Sequence, residues 1–215
     1  MSRIKTFLAD LFRQIFHFTK KQLLLMLLGN IILALGLAMF NMTGSNHPLH
    51  SMLYAIEAAI GGRISYANLL PLLSLFLLVI ELIWGRKYIG FGTFINMFLL
   101  GYAVTFFDGC LARLGLPAGR TTELLMLLPA TLVVSLGLSV YTAGDMGVAP
   151  YDSVPIIVSE RCGIRYFLCR IALDGLCLAV ALLLHGKYGF ATFVTVFCTG
   201  PFVQFFNKIL FGKTK

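Results

Sequence analysis

Six long apolar runs dominate this chain, at about 22–42, 66–84, 90–111, 122–142, 166–184 and 190–211. About 20 apolar residues in a helix cross the hydrocarbon of a bilayer. Lipid offers backbone N–H and C=O groups no partners, so a spanning segment must be a helix or part of a closed barrel. Runs of this length predict an all-α, polytopic transmembrane helix bundle of about six spans. Composition agrees: 59% of the 215 residues are hydrophobic and 12% are charged, whereas soluble domains are about a quarter charged. The net charge of +8 fits a cytoplasmic excess of Lys and Arg better than nucleic-acid binding.

Two shorter apolar pieces, 48–60 and 150–159, each follow a Gly/Pro/polar break. They are too short to cross as straight helices and read as broken or re-entrant segments. Residues 1–21 place Ile4, Phe7, Leu8, Leu11, Phe12, Ile15 and Phe16 at helical spacing, with Arg3, Lys5, Asp10, Arg13 and His17 opposite. That pattern predicts a basic amphipathic helix on the membrane surface, followed by a run too long for a cleavable signal.

The chain also echoes itself. LALGLAMF at 33–40 returns as VSLGLSVY at 134–141, HPLHS at 47–51 as APYDS at 149–153, and GFGTFINMFLLGYAVTFFD at 90–108 as GFATFVTVFCTGPFVQFFN at 189–207. The blocks keep their order at an offset of 99–102 residues. The expected units are 22–113 and 122–212, each a span, a broken short helix and two more spans. Three spans per unit force an inverted repeat; four would give eight passes and a parallel repeat. The distribution of Lys and Arg suits either arrangement, and both place the N- and C-termini in the cytoplasm.

The polar residues inside this frame carry any chemistry. AGDMGVAPYDS at 143–153 sets Asp145, Pro150 and Asp152 at the second break. Pro150 suits the first turn of a new helix, and a carboxylate in that turn meets the positive end of the helix dipole. The two acids either cap helix ends in a solvated loop or line a cavity where a broken helix meets a polar ligand or ion. At the matching place the first unit offers His47 and His50, and His50 paired with Asp152 could relay a proton. Arg170 and Asp174, four apart, share one helix face near mid-span; they read as a functional site or as a structural clamp, since a lone charge there costs about 2.5–3.5 kcal/mol. Asn96 within its span is a further binding candidate, and Asn30 and Thr195 suit interhelical hydrogen bonds. Glu81 precedes Arg86 and Lys87 and is expected to pair with them at the membrane interface.

The five cysteines form no C-x-x-C pair and suggest neither disulfide nor metal site. No motif for a nucleotide, a cofactor or a hydrolytic nucleophile occurs, so an enzyme is not expected. Transport or exchange of a small polar solute or ion is the leading expectation. The alternative is an accessory or scaffold protein that binds another membrane protein. Beyond the bilayer, a homo-oligomer or a membrane partner is compatible with the sequence.

LGLSVYTAGDMGVAPYDS resembles the characteristic stretch of the YczE/YyaS/YitT-type bacterial membrane proteins, with Asp145, Gly147, Pro150 and Asp152 at its motif positions and Tyr151 where Trp is usual. GTFINMFLLGYAVTFFD, with Asn96, Gly101 and Asp108, resembles the family's glycine-started segment. The likeness covers about 20–211 and implies a bacterial inner-membrane protein. HPLHS in the first unit departs from an acidic or glycine-rich match, which implies an asymmetric site.

Overall fold

The computed structural model describes residues 18–42, 47–114, 120–186 and 188–212. Nearly all of the amphipathic segment expected at 1–21 lies outside them. The described residues form eight α-helices and no strand: α1 (Lys20–Met42), α2 (Pro48–Ala59), α3 (Tyr66–Trp84), α4 (Phe91–Ala112), α5 (Arg120–Ala143), α6 (Pro150–Cys162), α7 (Tyr166–Leu183) and α8 (Phe190–Phe211), with a 3₁₀ turn at Arg86–Tyr88. Five are long and apolar enough to cross a membrane, and α3 is a shorter apolar helix over Asn68–Trp84.

Local chemistry sets the helix starts. Thr19 and Gln22 form a reciprocal cap, with Gln22 N–H donating to Thr19 Oγ1 and Thr19 N–H to Gln22 Oε1, which satisfies two otherwise orphaned amides. Pro48 and Pro150 stand in the first turns of α2 and α6, where their missing N–H costs nothing. Thr93 and Thr192 accept from the amides of Gly90 and Gly189 and so start α4 and α8 alike.

The core is the seam between α1 and α5. Small residues let the two backbones approach, as in other membrane helix pairs. A Cβ on Gly29 would fall on the backbone of Tyr141, one on Gly137 on the backbone of Leu33, and one on Gly36 against Val134; Gly144 faces Met26. As α1 advances α5 recedes, so the pair is antiparallel. Leu33, Leu37, Phe40, Val134, Leu138 and Tyr141 fill the space around it. α4 runs parallel to α1, with Gly92 beside Met26 at one end and Asp108 hydrogen-bonded to Asn41 at the other.

These directions bear on the number of crossings. Parallel α1 and α4 need one crossing between them. The 12 residues of α2 reach about 18 Å at 1.5 Å per residue, short of the roughly 30 Å hydrocarbon, whereas α3 is long enough. Antiparallel α1 and α5 then follow from three crossings, α1, α3 and α4. The geometry fits six spans rather than eight. Large apolar side chains such as Phe76, Phe98, Tyr102, Leu125 and Leu183 stand exposed on the outer surface, where lipid covers them.

Gly29→Ala should lower the melting temperature of the purified protein markedly, because overpacking a tight seam typically costs about 1–3 kcal/mol. Gly101→Ala, at a glycine with nothing within 4 Å, should leave it nearly unchanged. A fluorescence-detected thermal melt in detergent reads both.

Candidate functional site

The second break, at 144–149, is a structured turn. Asp145 and Gly147 take positive φ values of 51° and 100°, which reverse the chain after α5. The turn's backbone is tied to the start of α4: Gly92 N–H donates to Met146 O, Val148 N–H donates to Tyr88 O, and Thr93 Oγ1 donates to Val148 O. The amides and carbonyls released by the helix break thus find partners without water, as burial in protein requires.

The turn aims the first residues of α6 inward at α7. Arg170, 2% exposed, lies between two carboxylates. Its Nη1 donates to Asp152 Oδ1 at 2.7 Å and its Nε to Asp174 Oδ2 at 2.9 Å. The remaining carboxylate oxygens also have partners: Tyr141 Oη donates to Asp152 Oδ2 and Tyr151 Oη to Asp174 Oδ1, each at 2.6 Å. The guanidinium also lies 5.2 Å from the centroid of the Tyr151 ring. Four side chains therefore satisfy one another around a single cation, with α5, α6 and α7 each contributing. Charge-assisted bonds of this kind are the strong ones, and in a low-dielectric interior they must be complete to be tolerable.

α2 reaches the same place from the other break. His47 packs edge-on to Tyr151 with centroids 6.5 Å apart, and His50 edge-on to His47 at 6.2 Å. Burial lowers His50 to about 4, and burial together with the nearby Arg170 charge lowers His47 well below the ordinary histidine range. Burial thus favours the neutral form of both rings. Asp152 holds Arg170 and Tyr141 through its two oxygens, His47 packs edge-on against Tyr151, and His50 lies beside His47.

Of the residues expected from sequence, Asp152, Arg170, Asp174 and His47 converge, His50 adjoins His47, and Pro150 starts the helix that delivers Asp152. Asp145 stands apart, exposed on the turn. Asn96 is buried on α4, where its amide donates to Gly92 O within its own helix; it takes no part in the ion network. Tyr141 and Tyr151 were not expected from sequence: an aromatic among apolar neighbours gives no sign that its hydroxyl meets an acid. Glu81 corrects an expectation. It is fully buried and faces α6, while Arg86 Nε donates to Leu82 O and Lys87 pairs with Glu160. Its place on the inward face of α3 matters more than its closeness in sequence to two basic residues.

Arg170→Met should destabilise the protein by about 3–5 kcal/mol, because it strands two buried carboxylates. The triple change Asp152→Asn, Arg170→Met, Asp174→Asn should recover much of that loss. Melting temperatures of the three proteins, including wild type, show whether the groups act as a unit.

Against this geometry the comparisons with known proteins can be set. The model of DUF6198, a family of unknown function, matches residues 20–208. The uncharacterized membrane protein YczE of Bacillus subtilis (strain 168) is 25% identical over 123 residues, which cover 57% of this chain and 56% of that protein. The match thus spans about half the length of that relative. It agrees with the resemblance carried by Asp145, Gly147, Pro150 and Asp152. No solved structure matches. The chain is a helical membrane protein, and it belongs to the DUF6198 family.

Proposed function

We propose that this protein is a non-enzymatic transporter or channel that passes a small polar solute or ion across the bacterial inner membrane, built as two inverted repeats. The observation that carries this reading is unequal packing in two halves of one plan. The antiparallel α1–α5 contacts and the offset of 101 between LALGLAMF and VSLGLSVY support a pseudo-two-fold axis about where 34–35 meets 135–136. Equivalent contacts recur around it. Asn41 clasps Asp108, and Ser139 clasps Asn207. α2 packs on α7 as α6 packs on α3, with Gly186 against Ala55 and Gly85 against Ile157.

One seam departs from the plan. α7 lies along α8, with Gly200 against the backbone of Phe167 and Gly175 facing Val196. α3 and α4 share no comparable seam, and Gly101, the repeat-mate of Gly200, has nothing within 4 Å. Inverted-repeat transporters work by rocking one repeat against the other. Exchange here docks α3 on α4 and frees α7 from α8. The Ser139–Asn207 clasp brings the end of α8 beside the end of α5, hence beside the start of α1. The start of α1 and the end of α8 then share a face, and Lys20, Lys21 and Lys208 support a cytoplasmic side for it.

The burial of the ion network favours the second reading, an accessory protein for a membrane partner. Two clefts, of about 240 Å³ at Asn41, Asp108 and Leu111 and about 370 Å³ at Phe167, Gln204 and Lys208, lie away from the ion-network residues.

Spin labels at Leu72 and Phe98, and separately at Leu176 and Phe197, on a background free of native cysteine, separate the two readings. In lipid nanodiscs a transporter should give two α3–α4 distance populations, with a shorter minor one, and a longer minor population for α7–α8. A single distance for each pair, at the values of this structure, would remove the transport reading.

A further inference from the structure

The interior holds one acid that the ion network does not use. Glu81 on α3 is 0% exposed, and neither of its carboxyl oxygens has a hydrogen-bond partner among the described residues. An ionised carboxylate left so in a membrane interior costs several kcal/mol. The ionisable groups on elements packed around α3 are Tyr151, Asp152, Glu160, Arg161 and Cys162 of α6, Arg86, Lys87 and Tyr88 of the 3₁₀ turn, and His50, Tyr54 and Glu57 of α2. None is placed to neutralise it. Lys87 is paired with Glu160, Arg161 reaches Trp84 O and Arg86 reaches Leu82 O. Arg170 of α7 is divided between Asp152 and Asp174. Asp152 is the neighbouring charge that acts on Glu81, and it has the same sign.

The polar group facing Glu81 is Ser153, itself fully buried. Its hydroxyl donates to Pro150 O at 3.0 Å. With its proton committed there, Ser153 Oγ faces Glu81 as an acceptor. With the Ser153 proton on Pro150 O, a protonated Glu81 can donate to Oγ, whereas a carboxylate would have to compete with that carbonyl for the proton. Sodium would need several oxygens in a shell, and Glu81 with Ser153 supplies too few. A proton needs one.

We propose that Glu81 is a proton-binding site inside the membrane: its carboxylate takes up one proton to become a neutral acid whose O–H turns to Ser153 Oγ, and α3 stays sealed on the first turn of α6 while that proton is held. Release of the proton sets a second negative charge beside Asp152 and drives α3 away from α6. The site rests on the Glu81 geometry itself. Its use as the coupling step rests on the transport reading, since α3 is the helix that must move.

Infrared difference spectra of the full-length protein in nanodiscs test the site. Wild type at neutral pH should show a protonated-carboxyl C=O band that shifts in D₂O and is lost in Glu81→Gln. No such band, or its survival in Glu81→Gln, would overturn the proposal. Exchanging potassium for sodium should leave the band unchanged; its loss in sodium would assign the site to that cation instead. Melting supplies a control for folding. Stability that depends on a bound proton is present at low pH and lost as pH rises, so wild type should lose melting temperature in alkaline buffer more steeply than Glu81→Gln. For the coupling step, the Leu72–Phe98 distance populations should respond to pH in wild type and not in Glu81→Gln. Two populations indifferent to pH would overturn coupling while leaving transport intact.

Discussion

Arg170 is the point on which the second half of the molecule depends. A guanidinium cannot give up its proton in a protein, so burying it in a membrane bundle commits the fold to supplying counter-charge. Asp174, one turn along the same helix, supplies half of it at little cost in organisation. Asp152 supplies the rest, but it sits on a helix of 13 residues, too short to cross and without lipid-facing length to anchor it. The ion pair therefore fixes α6 more than it fixes α7. Tyr141 extends the hold to α5, and Tyr151 to the histidines of α2. Removal of Arg170 strands two buried acids, and removal of either acid leaves the guanidinium with half its counter-charge, so the network is best regarded as one structural unit.

That unit sits on a second requirement, the satisfaction of a broken backbone. Where α5 stops and α6 has not begun, the chain must turn with part of its backbone buried against α4. The start of α4 provides the partners, with glycines at 90 and 92 allowing the approach and Thr93 linking both sides of the turn. The segment GFGTF thus serves as a socket for the break. Its counterpart GFATF at 189–193 starts α8 with the same threonine cap, a local reason for the two segments to resemble each other in sequence.

Much of this frame was legible in the sequence, because the features involved are local. Apolar run length fixed the spans to within a few residues, Pro48 and Pro150 marked where the short helices begin, and the i, i+4 spacing of Arg170 and Asp174 placed them together. The choice between six and eight crossings was not local. Lys and Arg suit both, and the antiparallel meeting of Gly29 with Tyr141 and Gly36 with Val134 carries the information. Asp152 and Arg170 are 18 residues apart, and their contact needs α6 to fold back on α7. Glu81 was misread because nearness in sequence to Arg86 and Lys87 suggested pairing, whereas the helix turns it to the opposite, buried side. Tyr141 and Tyr151 could not be distinguished from ordinary core aromatics until their hydroxyls were seen to meet acids.

The chemistry of the two halves is far less alike than their folds. At the repeat-mates of Tyr141, Tyr151, Asp152, Arg170 and Asp174 the first half has Phe40, Leu49, His50, Leu70 and Ser74. The ionic fastening exists in one half only. α7 is bound to α6 by charge and cannot leave α8 alone, because separating Arg170 from Asp152 would strand both. Any rocking that frees α7 must carry α6 with it as one body. α3 and the turn after it meet α6 through Gly85 on Ile157, the Arg161 bond to Trp84 O, the exposed Lys87–Glu160 pair and the buried Glu81, with no buried ion pair among the described residues. The asymmetry therefore lies in the fastening: the second half is tied together by a buried ion network, and the first half meets it without one.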